Sequence, residues 1–245
     1  MKRIHIIGGF LSLSLLLPSC GSVNLNDVLE AVEDYQGQAL SQEKAGEGLK
    51  EALRIGIQNA ASSASSSGGF INNPLIKIPF PPEVANVETK LRALGMGGTV
   101  DKFVNTLNAG AEEASKKAAP IFVDAIKEMS ITDALTILKG DDDAATAYLK
   151  SKTSAKLEAA FLPVISQALQ KVQVTKYWNP IVTTYNGLPM TDDINPNLEA
   201  YVTQEAMEGL FLLLSQEEAK IRNNPGARVT DLLKEVFAHQ DGDGG

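Results

Sequence analysis

Apolar residues recur at helical spacing through most of this chain, and that period leaves room for little except packed helices. Leu25, Val28, Leu29 and Val32 fall at i, i+3, i+4 and i+7, one face of a helix. A second helix begins near Ser41 and runs through Leu49, Ala52, Leu53, Gly56, Ala60 and Ala64 to a Ser/Gly-rich stop at 62–69. Val84, Val87, Leu91 and Leu94 form another stripe, ended by Gly95, a residue suited to the turn after a helix. Val100, Phe103, Val104, Leu107, Ala111, Ala114 and Ala118 lie on one narrow arc. Pro120 kinks or restarts that helix, and Ile121, Phe122, Ala125, Ile126 and Met129 carry the pattern on. A short helix over 130–139 closes at Gly140. Leu157, Phe161, Val164, Ile165, Ala168, Leu169 and Val172 make the stripe of a further long helix, kinked at Pro163. The last long helix, from about Asn197 to Ile221, is apolar almost all round between Ala206 and Leu214, and is therefore the most buried. A terminal helix carries Val229, Leu232, Leu233, Val236 and Phe237.

Two stretches interrupt the period. Residues 70–82 hold four prolines and are read as a short extended strap that packs through Leu75, Ile76, Ile78 and Phe80. Residues 173–196 form a connector with one or two helical turns. With 44% hydrophobic and 21% charged residues and no convincing repeat, the expected architecture is all-α: a single multi-helix domain of about seven to nine helices with a short extended Pro-rich strap. Its expected limits are 41–238, followed by a flexible tail at 239–245.

The N-terminus is of a different kind. Met1-Lys2-Arg3 is a basic n-region, and Ile4 to Leu17 a mostly apolar h-region, shorter than the roughly 20 residues of a spanning helix. Leu17-Pro18-Ser19-Cys20 follows. It resembles the lipobox of bacterial lipoproteins, an aliphatic residue and two small positions before the lipidated cysteine; Pro18 departs from the usual Ala, Ser, Thr or Val. The resemblance implies that residues 1–19 are a signal peptide, that Cys20 is acylated, and that 20–40 is a lipid-anchored segment carrying the first helix. Two or more acyl chains give the stable anchoring that one does not. The implied location is the bacterial cell envelope, facing the periplasm. Gly21 rather than Asp after the cysteine directs such a chain to the outer membrane under the enteric sorting rule.

Charge and residue counts exclude whole classes of chemistry. Formal charge is −8, and loss of Lys2 and Arg3 leaves 20 basic against 30 acidic residues, which opposes binding to nucleic acid and electrostatic adhesion to anionic lipid. Cys20 is the sole cysteine, so acylation leaves no thiol for a disulfide or a nucleophile. Of the two histidines, His5 leaves with the signal and His239 falls in the tail, too few for a zinc site. No metal and no cofactor are expected. Asp141-Asp142-Asp143 reads as the N-cap of the next helix; the calcium-loop spacing is absent. No Walker, dinucleotide or GxSxG pattern occurs.

Two constellations are candidates for a ligand or partner. Asp101, Asn105, Asn108, Glu112 and Ser115 make a polar stripe beside the apolar one, suited either to a groove for a polar ligand or to bonding a neighbouring helix. Glu217 lies about 20° from Leu210 and 40° from Ile221 around the last long helix. A carboxylate inside an apolar arc needs a partner. Arg228, returned by the break at Asn223-Asn224-Pro225-Gly226, is the favoured one over Arg222 and Arg92.

Several strings belong together: Gly48-Leu49-Lys50-Glu51-Ala52-Leu53, Pro120-Ile121-Phe122, Ala144-Ala145-Thr146-Ala147-Tyr148 and Gly209-Leu210-Phe211. The longest run is Glu217-Glu218, Ile221-Arg222, Asn224-Pro225, Ala227-Arg228, Thr230 and Leu232-Leu233. Taken together they are similar to a bacterial family known as domain of unknown function 4197, a resemblance that spans about 25–237. It implies a secreted, often lipidated helical envelope protein with no assigned reaction, so no catalytic residue carries over. The expectation is a non-catalytic lipoprotein that binds a protein partner or stabilises an assembly. The alternative is a binder of a lipid or other apolar ligand between helices; less favoured is a hydrolase built on carboxylates or a Ser-Lys pair.

Overall fold

Ser41 begins the first described helix: its side chain accepts from the Lys44 N–H at 3.2 Å, an N-cap for α1 (Gln42–Ser65). The computed structural model describes residues 40–171, 178, 183, 186–187 and 197–242. Outside them lie the signal peptide, Cys20, the helix expected at 25–32, most of the 173–196 connector and residues 243–245. The described chain is all-α, with α2 (Ala85–Ala93), α3 (Gly97–Ser115), α4 (Ala118–Glu128), α5 (Ile131–Leu138), α6 (Ala144–Lys171), α7 (Leu198–Asn223) and α8 (Asp231–Gly242). Short 3-10 turns stand at Pro82–Val84 and Pro225–Ala227.

The long helices make the body. α6 packs against α3 and α7, and α1 lies against α7, α5, α4, α3 and α8. The core is one cluster to which every helix except α2 gives fully buried side chains, among them Ile57, Leu107, Phe122, Leu149, Phe161, Leu210 and Leu233. The break expected at Pro120 is a restart: α3 ends at Ser115 and α4 begins at Ala118, so the proline falls in a first turn, where its missing N–H costs nothing. Pro163 sits inside α6. α8 runs to Gly242, so backbone expected as tail from 239 continues a helix.

Up to Lys77 the expected strap is a run of turns. Gly69 donates to Ser66 O, Asn72 to Gly68 O, and both Ile76 and Lys77 to Asn73 O. The Asn73 side chain also accepts from Leu75 N–H at 3.1 Å, the local bond by which Asn makes turns. Phe70, Ile76, Ile78 and Phe80 are buried, but Leu75 is 63% exposed. The segment lies close on α7: a Cβ at Gly209 would stand 3.0 Å from both Ile76 Cβ and a Phe70 ring carbon. Phe80 also packs on Phe103 and Trp178, with ring centres 4.9 and 5.9 Å away.

α2 is the least covered element. Val87 and Leu91 are only half-buried, and Leu94, at the end of the expected stripe, is 77% exposed. The chain turns at Gly95, whose φ of 80° suits glycine.

Candidate functional site

The charged centre of the described domain is Glu218 on α7. Its carboxylate accepts from the N–H groups of Ala145 and Thr146 at 3.0 and 2.8 Å, and from the Thr146 hydroxyl at 2.8 Å. Those N–H groups belong to the first turn of α6, where helix donors lack partners and the dipole favours an anion. One turn along α7, Arg222 donates from Nε and Nη2 to Glu218 Oε1 at 3.1 and 3.0 Å. The guanidinium also reaches Ile137 O at 2.9 Å and Leu138 O at 3.3 Å, carbonyls at the C-terminal end of α5. The pair therefore spans the α5–α6 corner with each charge on the helix end of opposite sign. Glu218 and Arg222 side chains are 5% and 9% exposed. The Asp141–Asp143 triplet, expected to cap α6, is exposed, and the cap comes from Glu218 instead.

The acid expected at the buried position was Glu217, with Arg228 as partner. The structure corrects both. Glu217 does face α1, but it meets Gly56 there, with its Cβ 3.4 Å from where a glycine Cβ would stand. The missing side chain lets the carboxylate pass to the edge of the interface. There it accepts from Asn59 at 2.8 Å and pairs with Lys220. Arg228 is buried, at 3% exposed, and serves the end of α7. Its Nε donates to Ile221 O at 3.1 Å and its Nη2 to Arg222 O at 2.8 Å, with the guanidinium over the Phe237 ring. A cation on terminal carbonyls is the favourable arrangement.

The polar stripe of α3 divides. Asn108 is fully buried; its amide nitrogen donates to Ile78 O and Val104 O at 2.8 Å, and its oxygen accepts from Ile78 N–H at 2.9 Å. Glu112 accepts from Phe70 N–H at 3.3 Å. Both therefore hold the turn segment between α1 and α2. Ser115 donates to Ala111 O within its own helix. Asp101, exposed, accepts from Arg92 at 2.9 Å, and hydrogen bonds from Arg92 to Glu88 and Asp101 hold that guanidinium above its ordinary pKa. The stripe does not come together as one ligand groove. Tyr148, on α6, has its phenol pushed up by burial first and by the charges of Asp133 and Glu128.

A cleft of about 330 Å³ opens between α6 and α7, lined by Lys150, Glu158, Gln204, Met207, Glu208 and Phe211. The Lys150 ammonium stands 5.8 Å from the Phe211 ring centre, and Gln204 donates to Glu208 at 3.0 Å. Glu158 and Glu208 are both exposed. Inside the bundle, the void between α1, α7 and α8 holds only about 20 Å³.

Fold and packing thus define an all-helical domain whose buried polar residues, among those described, bond to its own backbone and helix ends. Over residues 39–238 the chain matches the family described as protein of unknown function (DUF4197), and it belongs to that family. Neither a curated protein nor a solved structure matches it.

Proposed function

We propose that this chain is a lipid-anchored, non-catalytic envelope lipoprotein whose helical domain binds a protein partner. The observation that carries the anchor is sequential: the sole cysteine, Cys20, directly follows a basic and then an apolar segment of secretory length. No helix among the described residues is long and apolar enough to cross a membrane, so in this reading attachment rests on the acylated cysteine. The proposed location is the periplasmic face of the outer membrane.

Packing favours a protein partner over an apolar cargo. A pocket that swallows a lipid or drug-sized ligand holds about 300–1,000 Å³. The void between α1, α7 and α8 is about 20 Å³, and the larger spaces open at the surface. Cys20→Ala is expected to move the protein from the membrane pellet to the soluble envelope fraction. A mature variant that stays in the pellet through salt and carbonate washing would place the anchor elsewhere. Purification of the parent in mild detergent should bring down a defined protein; recovery of a stoichiometric lipid alone would favour the carrier reading.

A further inference from the structure

A groove of about 510 Å³ opens between the C-terminal half of α1 and the α3–α4 junction. Its floor is apolar and small, with Ile57, Ala61 and Ala119. Its rims carry Arg54, Ser62 and Lys116, and none of its lining residues is acidic. In a chain of net charge −8 the lining thus holds two cations and no acid, with Glu113 standing beside the Lys116 rim. Arg54 is exposed and makes no hydrogen bond or ion pair among the described residues. Lys116 is held at 2.5 Å by Glu113. Glu113 in turn sits in the field of Lys116, Lys171 and Lys117, which holds its carboxyl below the usual range, the Lys116 hydrogen bond contributing most.

We propose that this groove is the partner-docking surface of the domain and that its occupant is an acidic polypeptide segment lying along α1, with its carboxylates on Arg54 and Lys116. The proposal rests on the protein-binding reading above and names its site. From Arg54 to Ser65 the groove follows α1 for about 16 Å, long enough for about three turns of a partner helix. Small floor residues let a backbone come close, and the apolar anchors of an amphipathic segment would rest on half-buried Ala119 and Val123 while its acids reach the rims. A flat bilayer cannot follow a concave surface, and nucleic acid would meet the net negative charge of the rest of the domain.

The test uses the full-length, membrane-anchored chain with a photo-crosslinking amino acid at Gln58, which lines the groove, and, separately, at exposed Leu94, just past the end of α2. The expected result is one protein adduct from Gln58, mapping to a stretch rich in Asp and Glu. Arg54→Glu combined with Lys116→Gln should cut its yield by about tenfold or more, since rim charges govern encounter and like charges repel, while the thermal melt stays unchanged. Replacing acids of the captured stretch by Lys should restore the adduct to the Arg54→Glu protein. An adduct insensitive to both changes, one mapping to a non-acidic stretch, or one to lipid would overturn the proposal. An adduct from Leu94 with none from Gln58 would overturn the groove and leave the protein-binding reading standing. No adduct from either position, with no protein recovered in detergent, would overturn both.

Discussion

The same local device, a glutamate one turn before an arginine, occurs at two corners of this molecule and does different work at each. In α2, Glu88 and Arg92 meet at 2.9 Å with side chains 28% and 42% exposed, and Arg92 also holds Asp101 across the turn to α3. In α7, Glu218 and Arg222 meet at 3.0 Å with 5% and 9% exposed. Spacing and distance are nearly equal; coverage is not. At the α2 corner water screens the charges, and such pairs add little. At the α5–α6–α7 corner desolvation is severe. It is offset because Glu218 takes the free donors of one helix and Arg222 the free carbonyls of another. What surrounds the pair, rather than the pair, decides whether it organises the fold.

The sharpest way to break that contrast is to remove one partner at each corner. Glu218→Ala should leave the Arg222 guanidinium without its counter-charge and two first-turn N–H groups unsatisfied, costing about 3–5 kcal/mol. In a domain of this size that is a fall in Tm of roughly 6–20 °C. Replacing Glu218 and Arg222 together by methionine should recover part of the loss, and strict additivity would show that the two do not act as a unit. Asn108→Ala removes a buried neutral group for comparison with the charged one. It orphans the N–H and C=O of Ile78, at about 1–3 kcal/mol for each group. Amide exchange at Ile78 should speed up while exchange in α6 changes little. Arg92→Ala should leave Tm within about 2 °C of the parent's. An Arg92 effect as large as that of Glu218 would refute the role given to burial.

These corners also mark where the sequence could be read and where it could not. Ser41 and Asn197 stand at helix starts and cap them, because capping needs only near neighbours. The arc from Val100 to Ala114 is buried apart from Phe103, which is half-covered, because a period is a property of one helix. Glu217 and Glu218 could not be told apart in the same way. A helix wheel gives an angle, but the outcome depended on Gly56 opposite one acid and on the α5–α6 corner over the other. Partners distant in the chain were equally hidden: α6 is capped from 73 residues downstream, and Asn108 binds backbone 30 residues upstream. The Val84–Leu94 stripe was legible as a helix, yet not that its last residue would face solvent, since nothing in a stripe says how much of it a neighbour covers. Family resemblance quoted Glu218 and Arg222 within its longest run without assigning either a task.

The last comparison concerns α5, whose two ends repeat the contrast within one short helix. Its C-terminal carbonyls are held by buried Arg222, whereas its N-terminus is closed in the open by a capping box. The Ser130 hydroxyl accepts from Asp133 N–H at 3.0 Å, while the Asp133 carboxylate accepts from Ser130 N–H at 3.1 Å and from the Ser130 hydroxyl at 2.7 Å. Those bonds, the hydroxyl first and the backbone second, hold the Asp133 carboxyl below its ordinary value of 3.8. A carboxyl whose folded pKa is depressed adds stability that is fully present above the unfolded value and is lost as pH falls through the folded one. Ser130→Ala should therefore lower Tm by a few degrees at most at neutral pH. The gap between parent and variant should narrow as the pH drops below about 4. The Glu218→Ala gap has a different origin, the exposure of helix donors and a buried arginine, and should be the larger at every pH where the parent is folded. A Ser130→Ala gap that stays constant down to the acid limit would show that the charged carboxylate is not what closes the N-terminus of α5.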